Sequence, residues 1–166
     1  SICQRIVAEV GGRIWLEESE LTGRAPYEFA AAGVARTFQN LQVFFNMSAL
    51  ENVMVGRYRK ERCSLGAAML RTRALVRAER ACREQAAELM RFVGLAGWLD
   101  ARADAMPYGA LKRLEIARAL ATEPRMLLLD EPAAGLNPAE TSEINELIVK
   151  LAGRGHTVVL VEHNMR

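Results

Sequence analysis

The spacing of apolar residues changes several times along this 166-residue chain, and each change marks an element. Ile2, Ile6, Val7 and Val10 recur at helical spacing and stop at Gly11 and Gly12, which predicts a helix ended by a glycine cap. "RIWLEESELTG" predicts a strand and turn, "PYEFAAAG" a short helix opened by Pro26, and "GVARTFQ" a strand of alternating character ending at the polar Gln39. From Ala49 to about Gly94 the spacing is helical, broken near Ser64 to Gly66. A loop, "DARADAMPYG", follows Trp98, after which Leu111, Leu114, Ile116, Ala117 and Leu120 line one helical face closed by Pro124. The remainder predicts a strand from Arg125 to Asp130, a helix from Pro138 to Leu151, a turn at Gly153 to Gly155, and a strand "HTVVLVEH" ending at His163. Strand, helix and strand in this order make a right-handed crossover and a parallel pair. The pattern is that of an α/β chain carrying a helical insert.

The strand at Met126 to Leu129 ends in two adjacent acids, Asp130 and Glu131. Four large apolar residues in a row predict a strand buried on both faces, and strands of that kind belong to parallel sheets, whose ligands sit at their carboxyl ends. Neighbouring carboxylates repel unless a cation, a hydrogen-bond donor or a raised pKa relieves them. A metal site meets that need; a core strand that simply surfaces in acidic residues is the plainer alternative. Glu131 and His163 are expected at the same edge of the sheet, on neighbouring or near-neighbouring strands.

Composition narrows the class. With 51% hydrophobic and 25% charged residues the chain is globular and large enough for one real core. Its apolar runs are too short to span a bilayer, and its start lacks the pattern of a signal peptide, so a cytoplasmic setting is expected. Cys3, Cys63 and Cys82 show neither disulfide-framework nor zinc-ligand spacing. Net charge is only +2, yet nine basic and two acidic residues fall between Arg57 and Arg83. That segment reads as a solvated helical face or as a contact for nucleic acid or a membrane surface; its single aromatic residue, Tyr58, does not make the series of stacking platforms that would interleave with the arginines.

Five motifs in sequence resemble those of ABC-type ATPases: "RTFQN" their Q-loop, "MPYGALKRLEIARAL" their signature helix, "LLLDEP" their Walker B strand, "AAGLNP" their D-loop and "LVEHN" their H-loop. "GVARTFQNLQVF", "PYG" and "DEPAAGLNPAET" are most similar to the ATP-binding subunits of branched-chain amino acid importers. The resemblance implies a P-loop NTPase-like, mostly parallel sheet core (residues 1–40 and 125–166), with about 41–124 forming the Q-loop, helical subdomain and signature helix. It implies ATP and Mg²⁺ as ligands, with Asp130 and Gln39 at the metal. By the same resemblance Glu131 is expected to polarise the attacking water and His163 to orient it against the γ-phosphate. Pro107, Tyr108, Gly109 and Ala110, in the signature, and Asn137, in the D-loop, are expected to face the nucleotide of a second subunit. Gly109 is expected to begin a helix whose free N–H groups favour an anion. Pro107 offers no N–H, and Ala110 stands where the family usually has Gln and cannot hydrogen-bond through its side chain.

The pattern G-x-x-x-x-G-K-[ST], which cradles the β-phosphate, is absent from these residues. "SICQRIVAEVGG" resembles the tail of the helix that follows that loop, so the sequence is expected to be an internal piece of a longer subunit. A strand absent from it would sit beside the Walker B strand and leave an apolar edge there. The implied parent is an ATPase subunit at the cytoplasmic face of the cell membrane. Its expected partners are a second ATPase subunit, transmembrane permease subunits and, indirectly, a substrate-binding protein, with no nucleic acid. The alternatives are a non-transport ABC protein acting on nucleic acid or ribosomes, and a non-hydrolysing interaction module.

Overall fold

The computed structural model of the chain describes residues 15–16, 19–58 and 72–162. The expected N-terminal helix, Cys3, Cys63, the break near Ser64 to Gly66 and His163 lie outside the described residues. Two short strands, β1 (Trp15–Leu16) and β2 (Ser19–Glu20), pair antiparallel where the sequence predicts a strand and turn. Helix α1 (Pro26–Ala31) opens at Pro26, and the Glu28 carboxylate accepts the Ala25 N–H at 2.8 Å. It leads into β3 (Val34–Arg36), which is shorter than the sequence suggests. Thr37 still donates its N–H to the Leu128 carbonyl at 2.9 Å, so Gln39 lies beyond the strand in the loop.

Helix α2 (Ala49–Arg57) starts at a capping box. The Ser48 hydroxyl accepts the Glu51 N–H at 3.2 Å, and Glu51 accepts the Ser48 N–H at 2.8 Å. Helix α3 (Arg73–Phe92) buries Cys82, Ala86, Ala87 and Met90, spaced as one helical stripe, and keeps its arginines in solvent. Arg80 pairs with Glu84 at 3.0 Å and Arg83 with Asp100 at 3.3 Å, which favours the solvated-face reading for this part of the basic segment. One short 3₁₀ turn, Ala96–Trp98, precedes the loop after Trp98, and a second, Ala103–Ala105, lies within it. Helix α4 (Tyr108–Ala121), strand β4 (Met126–Asp130), helix α5 (Pro138–Gly153) and strand β5 (Thr157–Val161) complete the described chain.

The three long-range strands form one parallel sheet in the order β3-β4-β5. This corrects the expected open edge: the strand carrying Asp130 is central and paired on both sides, with Arg36 opposite Leu128 and Asp130 opposite Val161. Leu127 and Leu129 are fully buried on one face of β4, while Met126 and Leu128 on the other are half-buried. The expectation of a strand buried on both faces therefore holds in full for one face.

Helix α4 departs further from its pattern. Burial is not confined to the predicted stripe but includes Gly109, Ala110, Lys112, Glu115 and Ala121 as well. The helix is walled in by α2, α3 and the sheet, and its leucines join one core with Leu127, Leu129 and Ile144. Each fully buried Leu or Ile there contributes about 1.5–3 kcal/mol relative to exposure. Close approach of α2 to α4 depends on Gly56, where an added Cβ would collide with the Arg118 carbonyl oxygen and lie 2.9 Å from the Ala121 Cβ. Gly56→Ala gains at most about 1 kcal/mol of helix propensity, less than the overpacking penalty of about 1–3 kcal/mol. The variant is expected to melt several degrees below the parent in a thermal scan.

Candidate functional site

The carboxyl edge of the sheet gathers side chains from three segments. Asp130 ends β4 and is buried. Its Oδ2 accepts the Arg36 Nη2–H at 2.6 Å, and its backbone N–H donates to the Thr37 hydroxyl at 3.3 Å. Arg36 and Thr37 come from the end of β3 alongside, so one strand supplies the cation that neutralises the other's acid. The Arg36 guanidinium also lies 5.2 Å from the centre of the Phe38 ring.

Glu131 takes a different direction. Its φ is 46°, the left-handed region that costs an L-residue about 1–2 kcal/mol. The surrounding hydrogen bonds hold it there: its N–H donates to the Val161 carbonyl at 2.9 Å, and its carbonyl accepts the Ala134 N–H at 3.1 Å. Gln39 Nε2 donates to Glu131 Oε2 at 3.1 Å. The two adjacent acids thus face different partners, Asp130 an arginine and Glu131 an amide. Backbone strain at a cluster of polar groups beneath a sheet edge is a feature of functional sites. The structure brings together Gln39, Asp130 and Glu131 as the sequence predicts; His163 lies outside the described residues.

The other predicted residues form a second cluster. Pro107, in extended conformation, precedes α4, which begins at Tyr108, so Gly109 lies in its first turn. Pro107 and Tyr108 are exposed, Gly109 is buried, and the Ala110 methyl is turned into the core. A Cβ at Gly109 would lie 2.5 Å from Glu140 Oε1, and one at Gly135 would lie 3.3 Å from Tyr108 Cε1. Asn137 caps α5: its Oδ1 accepts the Glu140 N–H at 2.9 Å, and its own N–H donates to Glu140 Oε2 at 3.1 Å. Segments 107–110 and 133–137 therefore form one continuous surface with Glu140 packed between them.

Sequence reasoning missed the residues that hold these clusters in place. The Lys112 ammonium donates to the Gln39 carbonyl at 3.1 Å, and Glu115 Oε1 accepts the Phe38 N–H at 3.1 Å. Buried Asn52 locks the next turn, with its Nδ2 donating to the Phe44 and Ser48 carbonyls and its Oδ1 accepting the Phe44 N–H at 2.9 Å. The spacing Asn137 to Glu140 was the available signal for the cap, whereas no local pattern marked Lys112 and Glu115 as buried. Nothing in the sequence marks Arg36 as the partner of Asp130.

Burial pushes the Glu115 carboxyl above its ordinary range; the Phe38 N–H, Lys112, Arg118 and the Gln42 N–H oppose this in part. Burial likewise lowers Arg118, against the pull of Glu115. A carboxyl whose pKa is raised by folding stabilises the fold below its unfolded value, and that contribution is lost as pH rises through the folded value. Glu115→Gln keeps an acceptor and removes the titration. The melting temperature of the variant minus that of the parent should therefore increase from about pH 4 to neutrality. Parallel melts across that range check the sign.

With this geometry in view, the comparisons with known proteins agree on one family. The ABC transporter family model matches residues 1–134. The chain is 43% identical over 157 residues to the high-affinity branched-chain amino acid transport ATP-binding protein BraF of Pseudomonas aeruginosa, and the match covers 94% of this chain and 62% of BraF. It is 39% identical over 157 residues to LivG of Escherichia coli, with the same coverage, and 36% identical over 155 residues to the lipopolysaccharide export system ATP-binding protein LptB of Acidithiobacillus ferridurans, covering 58% of that protein. Among solved structures, a nucleotide-free ATP-binding cassette from an ABC transporter superposes with a TM-score of 0.74 at 30% identity, covering 92% of this chain and 60% of that one. A cassette in its ADP conformation gives 0.73 at 28% identity, covering 93% and 60%. The chain spans less than two thirds of the length of these relatives, and within that span its sequence and its parallel sheet place it in the ABC transporter family.

Proposed function

We propose that this chain is the part of an ATP-binding subunit that carries the hydrolytic carboxylate, in a transporter importing branched-chain or related amino acids. The observation that carries the reading is the contact of Gln39 Nε2 with Glu131 Oε2 at 3.1 Å, beside Asp130, at the carboxyl edge of the central parallel strand. Glu131 acts as the base that polarises the attacking water, and Gln39 holds the Glu131 carboxylate in place until the nucleotide arrives. His163 is assigned to the γ-phosphate side of the same water.

The donors at Asp130 and Gln39 are oxygens, which suits a hard cation. Among the described residues no group of three or more His, Cys, Asp or Glu could enclose a metal ion. One carboxylate, with water and nucleotide phosphates completing the shell, is the way Mg²⁺ is commonly bound. The ion would supply charge neutralisation on the β- and γ-phosphates. Arg36, paired with Asp130 Oδ2, orients that carboxylate.

The second cluster is assigned to a partner subunit's nucleotide. Pro107 and Tyr108 are exposed there, Gly109 and Ala110 stand in the first turn of α4, where backbone N–H groups lack intrahelical acceptors, and Asn137 lies alongside. The core is assigned to residues 1–40 and 125–166, with about 41–124 forming the Q-loop, helical subdomain and signature helix. Exposed Phe44, Phe45, Val55 and Tyr58 offer an apolar surface to the permease subunits. Among the described residues no helix is long and apolar enough to cross a membrane. The subunit is assigned to the cytoplasmic face of the membrane, held there by those partners. Similarity to LptB as well as to BraF supports the energising role more strongly than the choice of cargo.

General base catalysis contributes about 10²- to 10⁴-fold. In the full-length subunit, Glu131→Gln is therefore expected to bind nucleotide as the parent does and to lose turnover by about that factor. A variant that hydrolyses ATP at the parent rate would remove Glu131 from the reaction.

A further inference from the structure

The buried face of α4 carries two charges for which the proposed chemistry has no direct use. Lys112 and Glu115 are each 3% exposed and stand one helical turn apart among Leu111, Leu114 and Ile116. Buried charges are tolerated only where they are paired or hydrogen-bonded. Both find backbone partners on the loop that follows β3. Lys112 Nζ donates to the Gln39 carbonyl and Glu115 Oε1 accepts the Phe38 N–H, each at 3.1 Å. The Gln42 N–H also interacts with the Glu115 carboxylate.

These contacts matter because the loop has little packing of its own. Phe38, Gln39, Asn40 and Gln42 are exposed, and of residues 38–42 it is Leu41 that packs against the core, so apolar burial holds the far end of the loop and not the Phe38–Gln39 peptide. The anion takes the N–H of Phe38 and the cation takes the carbonyl of Gln39, so the two groups bracket a dipeptide from both ends. Fixing both ends fixes the Cα of Gln39 and the direction of its side chain, whose amide reaches Glu131.

We propose that Lys112 and Glu115 are positioning residues that clamp the Phe38–Gln39 peptide and thereby deliver the Gln39 amide to the Glu131 carboxylate. The proposal rests on the reading of Gln39 and Glu131 as members of the hydrolytic site. It separates two jobs on one helix: the first turn faces a partner subunit, and the second turn sets the geometry of this subunit's own site.

The test uses the full-length subunit with Lys112→Met, Glu115→Ala, Glu115→Gln and Gln39→Ala. Three quantities are read: nucleotide Kd, kcat for ATP, and amide exchange across residues 38–42. Lys112→Met and Glu115→Ala are expected to lower kcat by about ten- to a hundredfold with little change in Kd, the scale of a small misplacement of a reacting group. Exchange across 38–42 should rise about tenfold or more as charge-assisted hydrogen bonds are lost. Glu115→Gln, which retains an acceptor, should recover most of both. Added to Gln39→Ala, the Lys112 and Glu115 changes should cause no further loss of rate, because they act through the same amide.

Unchanged exchange across 38–42 in both variants overturns the clamp. Rate losses that add to that of Gln39→Ala overturn the positioning role, since the helix would then act by another route. Full turnover in Gln39→Ala overturns the assignment of Gln39 and the positioning role with it, while the exchange data still report the clamp by themselves.

Discussion

A lysine and a glutamate sealed into the buried side of helix α4 set the terms for much of this structure. Removing an ion from water costs several kcal/mol even after relaxation, unless its new surroundings supply both charge and hydrogen bonds. Helix α4 is enclosed by α2, α3 and the sheet, so Lys112 and Glu115 cannot reach solvent. Their partners are peptide groups of residues 38, 39 and 42. The loop after β3 and the helix are consequently a single unit: neither can shift without exposing a buried charge to an unpaired environment.

The sheet supplies the other half of the site. Two adjacent carboxylates at the end of β4 coexist because the backbone turns sharply between them, with Glu131 at φ 46°. Asp130 turns to Arg36 on the neighbouring strand, and Glu131 to the amide that α4 holds in place. The segment leaving Glu131 then runs to Asn137 and Glu140, which pack beside Gly109 at the start of the same helix. Both clusters are thus anchored to α4, one at its first turn and one at its second. In the proposed transporter this arrangement ties the surface offered to a partner subunit to the residues poised at this subunit's own water.

Elements whose sequence pattern is local were legible from the sequence. The apolar run Met126 to Leu129, the Asn137–Pro138 start and the Val158 to Val161 run mark β4, α5 and β5 to within about two residues. The gathering of Gln39, Asp130 and Glu131 was legible because strand ends in a parallel sheet share an edge. What escaped depends on neighbours in space. Spacing along α4 assigns Lys112 and Glu115 to solvent, since charged residues between leucines ordinarily face water; only the closeness of α2, permitted by Gly56, and of the loop after β3 reverses that. The central place of β4 and the Arg36 partnership with Asp130 are likewise long-range facts that no local period encodes.

The most direct test of the account is to follow the amide resonances of Phe38 and Gln42 by NMR as pH is varied. Both should titrate together with a single midpoint above the ordinary glutamate range of about 4.3, and both transitions should vanish in Glu115→Gln. Midpoints that differ between the two amides, that lie at the ordinary value, or that persist in the variant would contradict the claim that one buried carboxylate holds this loop.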